Sequence, residues 1–139
     1  MKSLALIILI KHQNKTKIIK KAEIKMSKQL ENLVEKAQEK GFAKVNGRQR
    51  GYGYVGKLEE KYAVEIKNNI VKLRHWGTQT LEIDTVNKKV LDVYGISNSD
   101  RDSVNFILSK FNIPYHTHFY PSRYEFELHD DNENVIEVI

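Results

Sequence analysis

The chain has 139 residues, a formal net charge of +5, 40% hydrophobic residues and 29% charged residues. This length suffices for one domain with a hydrophobic core, and the composition is that of an ordinary globular protein. The absence of cysteine excludes disulfide bonds and thiolate metal ligands. Residues 1–57 carry 14 Lys and Arg against 4 Asp and Glu, whereas residues 58–139 carry 9 against 14. A basic segment this distinct predicts an acidic partner, for which nucleic acid is the usual candidate.

The N-terminal segment combines an apolar run with a lysine-rich stretch. We predict that residues 1–25 form a basic extension and that residues 26–139 form a single domain. The apolar run SLALIILI is shorter than the roughly 20 residues needed to span a bilayer, so no membrane partner is expected. The extension holds seven lysines and one glutamate. The charge argument therefore depends on whether Met1 or Met26 is the natural start, and the sequence leaves both open.

The first helix is predicted by the segment MSKQLENLVEKAQEKG. Ser27 is a suitable N-cap, and Gly41 is well placed to end the helix. Its apolar residues recur at the helical spacing i, i+3, i+4 and i+7: Leu30, Leu33, Val34 and Ala37.

A group of strands follows at short spacing. The segments KYAVEI, NIVKLRHW, TLEID and VLDVYG predict an antiparallel meander of about four strands. Asn68 and Asn69 separate the first two segments and indicate a tight hairpin turn. Leu81 and Ile83 alternate with polar residues, so both are expected to face the core.

The second helix is predicted from SDRDSVNFIL onward. Ser99 and Asp102 are spaced as in a capping box, and Asn112 is suited to a left-handed stop. The last 26 residues predict two or three further strands, ending in NVIEVI. The predicted fold class is therefore α+β, an antiparallel sheet of about five to seven strands with two helices on one face. The final strand is able to pair with a second copy, which allows a homo-oligomer.

The glycine-rich segment between the first helix and the meander is the main candidate for binding. GYGYVG matches G-x-G-x-x-G, but a dinucleotide-binding loop needs a strand before it and a helix after it, and here the order is reversed. Cations neutralise phosphates and tyrosines stack on unpaired bases, which favours nucleic-acid binding. The alternative is a loop whose tyrosines enter the core. The predicted nucleic-acid-binding residues are Lys44, Arg48, Arg50, Tyr52, Tyr54 and Lys57, together with Lys17, Lys20 and Lys21 of the extension.

The histidines are the main candidates for chemistry. His116 and His118 fall on the same face of a strand, as two metal ligands or an acid–base pair would. His75 and His129 are candidate partners, but spacing alone identifies no third ligand. Exposed or packed strand histidines are the preferred interpretation, so no metal, cofactor or catalytic residue is predicted. For Trp76, core packing beside a tight turn is preferred over a stacking platform for a ligand.

The pair HWGTQTLEID and VYGISNSDRDSVNFIL resembles a pattern in small phage and prophage proteins, over about residues 70–111. Small size, absent cysteine and a composition rich in Lys, Asn and Ile also resemble phage anti-defence proteins, including anti-CRISPR proteins. No residue of an inhibitory site can be transferred from this resemblance. It implies a non-enzymatic inhibitor in the cytoplasm of a bacterial host, which acts by binding RNA or an RNA–protein surface of an immune ribonucleoprotein.

Two alternative functions stay open on the sequence. The first is a protein-only inhibitor whose acidic C-terminal stretch, Glu125 to Glu137, mimics nucleic acid. The second is a small nuclease or phosphoesterase that uses His75, His116 and His118.

Overall fold

The computed structural model describes residues 21, 24–49 and 56–139. Helix α1 covers residues 24–40, and helix α2 covers Asn98–Lys110. The strands are β1 (Phe42–Arg48), β2 (Leu58–Lys67), β3 (Ile70–His75), β4 (Thr78–Asp84), β5 (Lys89–Val93), β6 (Tyr115–Tyr120), β7 (Glu125–Asp130) and β8 (Val135–Val138). No helix among these described residues is long and apolar enough to cross a membrane.

The first five strands form one antiparallel sheet in the order β1-β2-β3-β4-β5. Asn68 has a φ of 56° in the two-residue turn between β2 and β3, as the Asn-Asn pair predicts. The turn between β3 and β4 consists of Trp76 and Gly77, with φ values of 51° and 82°. Positive φ at both central residues is the type I′ geometry, which matches the natural twist of a hairpin.

The last three strands form a second antiparallel sheet in the order β6-β7-β8. Strands β6 and β7 pair without a bulge from Tyr115↔Asp130 to Tyr120↔Glu125. Phe126 and Leu128 of β7 are buried, whereas the residues of the edge strand β8 are exposed. The second sheet therefore contributes one face to the core and leaves its outer edge accessible.

The two helices cover the core that both sheets share. Leu30 and Val34 of α1 and Ile107 and Leu108 of α2 belong to the same cluster of buried side chains as Leu73 of β3. Helix α2 contacts β3 and β4 of the first sheet and β6 of the second. Burial of such aliphatic side chains contributes about 1.5–3 kcal/mol each, so this shared core is the main source of stability.

The predicted α+β class, the antiparallel strands and the two helices are confirmed. The strands are divided between two sheets, and residues 44–48 of the segment predicted as a glycine-rich loop belong to β1. Ser27 is not the N-cap of α1, because residues 24–26 are already helical and Met26 packs against the core.

The N-cap of α2 is Ser97 rather than Ser99. The Ser97 Oγ atom accepts a hydrogen bond from the Asp100 N–H at 3.1 Å, and Asp100 Oδ2 accepts one from the Ile96 N–H at 3.0 Å. This pair is two residues upstream of the predicted capping box, with the same spacing of three. Asn112 adopts the predicted left-handed conformation, with a φ of 55°.

Candidate functional site

Four potential metal ligands meet on the outer face of the second sheet. Strands β6 and β7 place His116 opposite His129 and His118 opposite Glu127. Because side chains alternate along a strand, His116, His118, Glu127 and His129 share one face of the sheet. Thr117 points to the other face and is buried. The turn between β7 and β8 then brings Glu133 to the same face.

Helix α2 fixes the position of Thr117, the residue between the two β6 histidines. Asn105 Oδ1 accepts hydrogen bonds from the Thr117 backbone N–H at 2.7 Å and from its Oγ1 hydroxyl at 2.8 Å. Asn105 Nδ2 donates to the Thr117 carbonyl oxygen at 3.0 Å. The side chain of Asn105 therefore satisfies every polar group of Thr117 and holds β6 in one position against the helix.

The ligand atoms of the cluster are close to one another. His116 Nε2 lies 3.1 Å from His118 Nε2 and 3.4 Å from Glu133 Oε1. Glu133 Oε2 lies 3.7 Å from His118 Nε2 and 3.7 Å from His129 Nδ1. All four ligand atoms lie within 4.8 Å of one another. We refer to His116, His118, His129 and Glu133 as the histidine cluster.

His129 is the most deeply buried member of the cluster, with 6% of its surface exposed. Its Nε2 atom lies 2.9 Å from Glu127 Oε1, so Nε2 donates its proton to that carboxylate. In the neutral imidazole, this hydrogen bond leaves Nδ1 as the unprotonated acceptor. In the part of the chain that the structure describes, His129 Nδ1 is the one buried side-chain nitrogen or oxygen without a hydrogen-bond partner. A buried acceptor without a partner is costly, and it needs a cation or proton donor beside it.

The turn that carries Glu133 is tightly specified. Glu133 has a φ of 63°, a conformation that costs free energy for a residue with a Cβ atom. Asp130 Oδ1 stabilises the turn by accepting hydrogen bonds from the N–H groups of Asn132 and Asn134, both at 2.9 Å. The bond from Asn134 is the main reason that the pKa of Asp130 is lowered. The turn therefore places the backbone of Glu133 beside the three imidazoles, and its side chain, which is 68% exposed, reaches them at 3.4–3.7 Å.

The electrostatics of the cluster favour neutral imidazole at His118. Burial lowers the pKa of His118, and the proximity of His129 and His116 lowers it further, against an opposing effect of Glu133 and Glu127. A metal ion binds the neutral form of histidine. His118 is thus in the protonation state that a ligand requires.

A second site lies at the end of the first sheet. It is a cleft of about 740 Å³, and its lining includes Arg48, His75, Trp76, Tyr94, Ser97 and Asp100. We refer to it as the His75 cleft. Pockets that bind small molecules typically have volumes of about 300–1,000 Å³, so the cleft is large enough for a small ligand.

A buried carboxylate fixes the orientation of His75. His75 Nδ1 lies 2.7 Å from Asp100 Oδ1, and the imidazole stacks on Tyr62 at a centroid distance of 4.5 Å and an interplanar angle of 10°. Burial opposes ionisation of Asp100, but hydrogen bonds from His75 and the Ile96 N–H outweigh it, and the pKa of Asp100 is lowered. Burial, followed by the charges of Asp100 and Asp102, raises the pKa of Tyr62 to about 12.

The predicted nucleic-acid-binding residues are distributed over the surface and the cleft. Lys44 is exposed on β1, Lys57 is exposed just before β2, and Arg48 lines the His75 cleft. Lys21 is helical and exposed. The remaining residues of this prediction lie outside the described part of the chain: Lys17, Lys20, Arg50, Tyr52 and Tyr54.

The structure does not group the histidines in the way that the nuclease alternative requires. Among the described residues, the contacts of His75 involve Asp100, Tyr62 and Trp76, not His116 or His118. The shared face of His116 and His118 is confirmed, and their partners are His129 and Glu133. The sequence did contain a signal for His129, because a hairpin centred between Tyr120 and Glu125 pairs it with His116.

Trp76 lies in the predicted tight turn but not in the buried core. It is partly exposed and lines the His75 cleft. The alternative interpretation of this residue, as part of a wall for a ligand, therefore fits its position better.

No protein-family model, curated protein or solved structure matches this chain. The likeness to phage and prophage proteins thus stays a prediction from the sequence.

Proposed function

We propose that this protein binds a divalent transition-metal ion, with Zn²⁺ as the best fit, through the histidine cluster. The observation that carries this proposal is His129 Nδ1, a buried nitrogen without a hydrogen-bond partner, in a cluster whose four ligand atoms lie within 4.8 Å of one another. A cation bound between these atoms satisfies Nδ1 and separates the two imidazole nitrogens of His116 and His118.

The distances within the cluster support this proposal. In a tetrahedral zinc site, bonds of about 2.0–2.1 Å place neighbouring ligand atoms about 3.3 Å apart. Four distances between the ligand groups are 3.1, 3.4, 3.7 and 3.7 Å, the 3.4 Å distance to Glu133 Oε1 and both 3.7 Å distances to its Oε2. With one ligand atom from each residue, all four atoms lie within 4.8 Å of one another. Only small side-chain adjustments are therefore needed to enclose an ion.

The ligand types determine the class of metal. Three imidazoles and one carboxylate suit Zn²⁺ and neighbouring first-row ions, whereas Mg²⁺ and Ca²⁺ prefer sites made of oxygen atoms. Glu127 accepts the hydrogen bond from His129 Nε2 at 2.9 Å. A carboxylate behind a ligating histidine fixes its tautomer and increases its basicity, which is the usual support for such a ligand.

Four protein ligands fill a tetrahedral coordination sphere, which is typical of a structural site. The ligands come from β6, from β7 and from the turn that leads to β8. A bound ion therefore links all parts of the second sheet and stabilises an edge strand whose own residues are exposed. We propose that the metal's role is to hold this sheet in its folded form.

Metal binding is tested with the full chain after chelation and dialysis. Titration with Zn²⁺ in a calorimeter is expected to give one site per chain. At 100 times Kd the ion adds about 2.7 kcal/mol, which raises the melting temperature by roughly 10 °C. A chain that binds no Zn²⁺, or binds it without gaining thermal stability, contradicts the proposal.

Two glutamates provide matched variants. Glu133→Gln removes a proposed ligand and is expected to weaken Zn²⁺ binding at least tenfold. Glu125→Gln changes a carboxylate of the same sheet that instead pairs with Arg123 at 3.2 Å, so Zn²⁺ affinity is expected to change less than twofold. Equal effects of the two variants would show that the cluster is not the site.

A second candidate function is the one implied by the resemblance to phage anti-defence proteins, inhibition of a bacterial immune ribonucleoprotein through RNA or an RNA–protein surface. Support comes from Lys44 and Arg48, which are exposed on the edge strand β1, with Lys57 nearby in sequence and also exposed. The acidic alternative has less support, because Glu125 pairs with Arg123 and Glu127 accepts a hydrogen bond from His129 within their own sheet.

RNA binding is tested by fluorescence anisotropy with single-stranded RNA at several salt concentrations. Phosphate contacts release counterions, so affinity is expected to fall steeply between 50 and 200 mM salt. The double variant Lys44→Gln with Lys57→Gln is expected to reduce both the affinity and its salt dependence. Salt-independent binding, or an unchanged double variant, contradicts this candidate function.

A further inference from the structure

We infer that the His75 cleft binds a nucleotide unit, with the base against Trp76, the phosphate at Arg48, and a ribose or phosphate oxygen at His75 Nε2. This inference is independent of the metal site. It shares with the second candidate function only the chemical class of the ligand. The nucleotide is either a free molecule or part of an RNA strand.

The first argument is the preorganised imidazole. His75 is buried and lines the cleft, with its ring held by Tyr62 on one side and by Asp100 at Nδ1. The Nδ1 hydrogen bond leaves Nε2 as the polar atom of the ring that a ligand can use. Since Asp100 also accepts a bond from the Ile96 N–H, the supporting carboxylate is itself fixed in place. Histidines that contact ligands are typically supported in this way.

The second argument is the conformation of Trp76. Its φ of 51° is unfavourable for a bulky side chain, and Asn or Gly fits this turn position without strain. The Trp76 ring lies outside the buried core, so core packing does not offset this cost. It leans over Gly47, where an added Cβ atom would lie 3.3 Å from Trp76 Cη2. Strained residues that line a cleft are typical of functional sites, and an indole face is suited to stacking on a base.

The third argument is the cation beside the ring. Arg48 Nη1 donates to the Gly56 carbonyl oxygen at 2.8 Å, which positions the guanidinium group at the cleft. Its remaining N–H groups form a planar fork that matches phosphate geometry. An aromatic face, a guanidinium group and an oriented imidazole thus correspond to the base, phosphate and hydroxyl groups of one nucleotide.

The inference is tested with the full-length, Zn²⁺-treated protein and two kinds of probe. The first is the set of four ribonucleoside 5′-monophosphates, and the second is a set of single-stranded hexanucleotide RNAs. Trp76→Asn removes the ring and keeps the turn, because Asn tolerates a positive φ. Tyr124→Asn is the matched control, since Tyr124 also has a positive φ, 49°, but is exposed near the second sheet. Arg48→Gln and its control Arg123→Gln complete the set.

We expect Trp76→Asn and Arg48→Gln each to weaken binding at least tenfold, and both controls to change it less than twofold. Binding of a monophosphate identifies a free nucleotide as the ligand, whereas binding of hexanucleotides alone identifies an RNA strand. The inference is overturned if no probe binds, or if Trp76→Asn binds as well as Tyr124→Asn. RNA binding that survives Trp76→Asn but is lost in the Lys44 and Lys57 double variant would show that the His75 cleft is not the nucleotide-binding site. The second candidate function would then be retained.

Discussion

His75 Nδ1 lies 2.7 Å from Asp100 Oδ1, and this hydrogen bond joins the end of β3 to the first turn of α2. Both residues are buried, with 6% and 7% of their surfaces exposed. Removing one partner of a buried pair leaves the other without compensation, whereas removing both costs less. The pair thus makes the position of α2 depend on the first sheet.

The double-mutant cycle of this pair is the first prediction. His75→Gln and Asp100→Asn are each expected to lower the free energy of unfolding by about 3 kcal/mol, and the double variant by clearly less than the sum. Urea denaturation measures all three, with the exposed Asp131→Asn as control. Additive effects of the two substitutions would show that the pair has no coupling.

The second prediction concerns Tyr62, whose pKa is raised to about 12 by burial and then by the nearby carboxylates. Because the folded state holds this proton more tightly than the unfolded chain, its stabilising contribution is complete below pH 10. It is lost as the pH rises from 10 through 12, and this loss amounts to about 2–3 kcal/mol. Ultraviolet titration is expected to show a late-ionising tyrosine signal that is absent in Tyr62→Phe. A titration curve unchanged in that variant contradicts the assignment.

The third prediction concerns the contact between Gly95 and Phe126. A Cβ atom at Gly95 would overlap Phe126 Cε2, and the Phe126 ring is completely buried. Gly95→Ala therefore forces the ring to move and is expected to cost about 1–3 kcal/mol or more. Adding Phe126→Leu is expected to recover part of the loss caused by the alanine. Thermal unfolding that is unchanged in Gly95→Ala would show that this packing is loose.

The fold was predictable where side-chain periodicity is strong. Leu81 and Ile83, expected to face the core, are completely buried. The cap of α2 was misplaced because Ser97–Asp100 and Ser99–Asp102 have the same spacing, so the local pattern does not distinguish them. The choice is made by a distant residue, since Asp100 is the carboxylate that reaches His75. A rule based on four neighbouring residues contains no information about that contact.

The candidate metal site was predictable only in part, for a similar reason. The spacing of His116 and His118 is local and places them on one face correctly. Their partners depend on the register of β6 with β7 and on a turn in which Glu133 has a positive φ. The separation of His118 from His75 depends on the division of the strands into two sheets. These long-range features decide which histidines meet.

The last prediction tests whether Asn105 positions the histidine cluster. Thr117 donates hydrogen bonds to Asn105 Oδ1 from its backbone N–H at 2.7 Å and from its hydroxyl group at 2.8 Å. Asn105→Ala leaves both of these buried groups without their partner. An unsatisfied buried polar group costs about 1–3 kcal/mol, and the free energy of unfolding is expected to fall by at least that amount. Because Thr117 lies between two proposed ligands, Zn²⁺ affinity is also expected to fall, by about 10–100-fold as for other supporting residues.

Two controls separate this positioning effect from general destabilisation. Asn87→Ala removes an exposed amide that bonds Asp84 at 2.7 Å, and Zn²⁺ affinity is expected to stay unchanged. Gly95→Ala lowers stability through a packing contact that involves no polar group of Thr117. If Gly95→Ala weakens Zn²⁺ binding as much as Asn105→Ala at equal loss of stability, then Asn105 has no specific role. A larger loss of affinity in Asn105→Ala shows that α2 positions the ligands of β6.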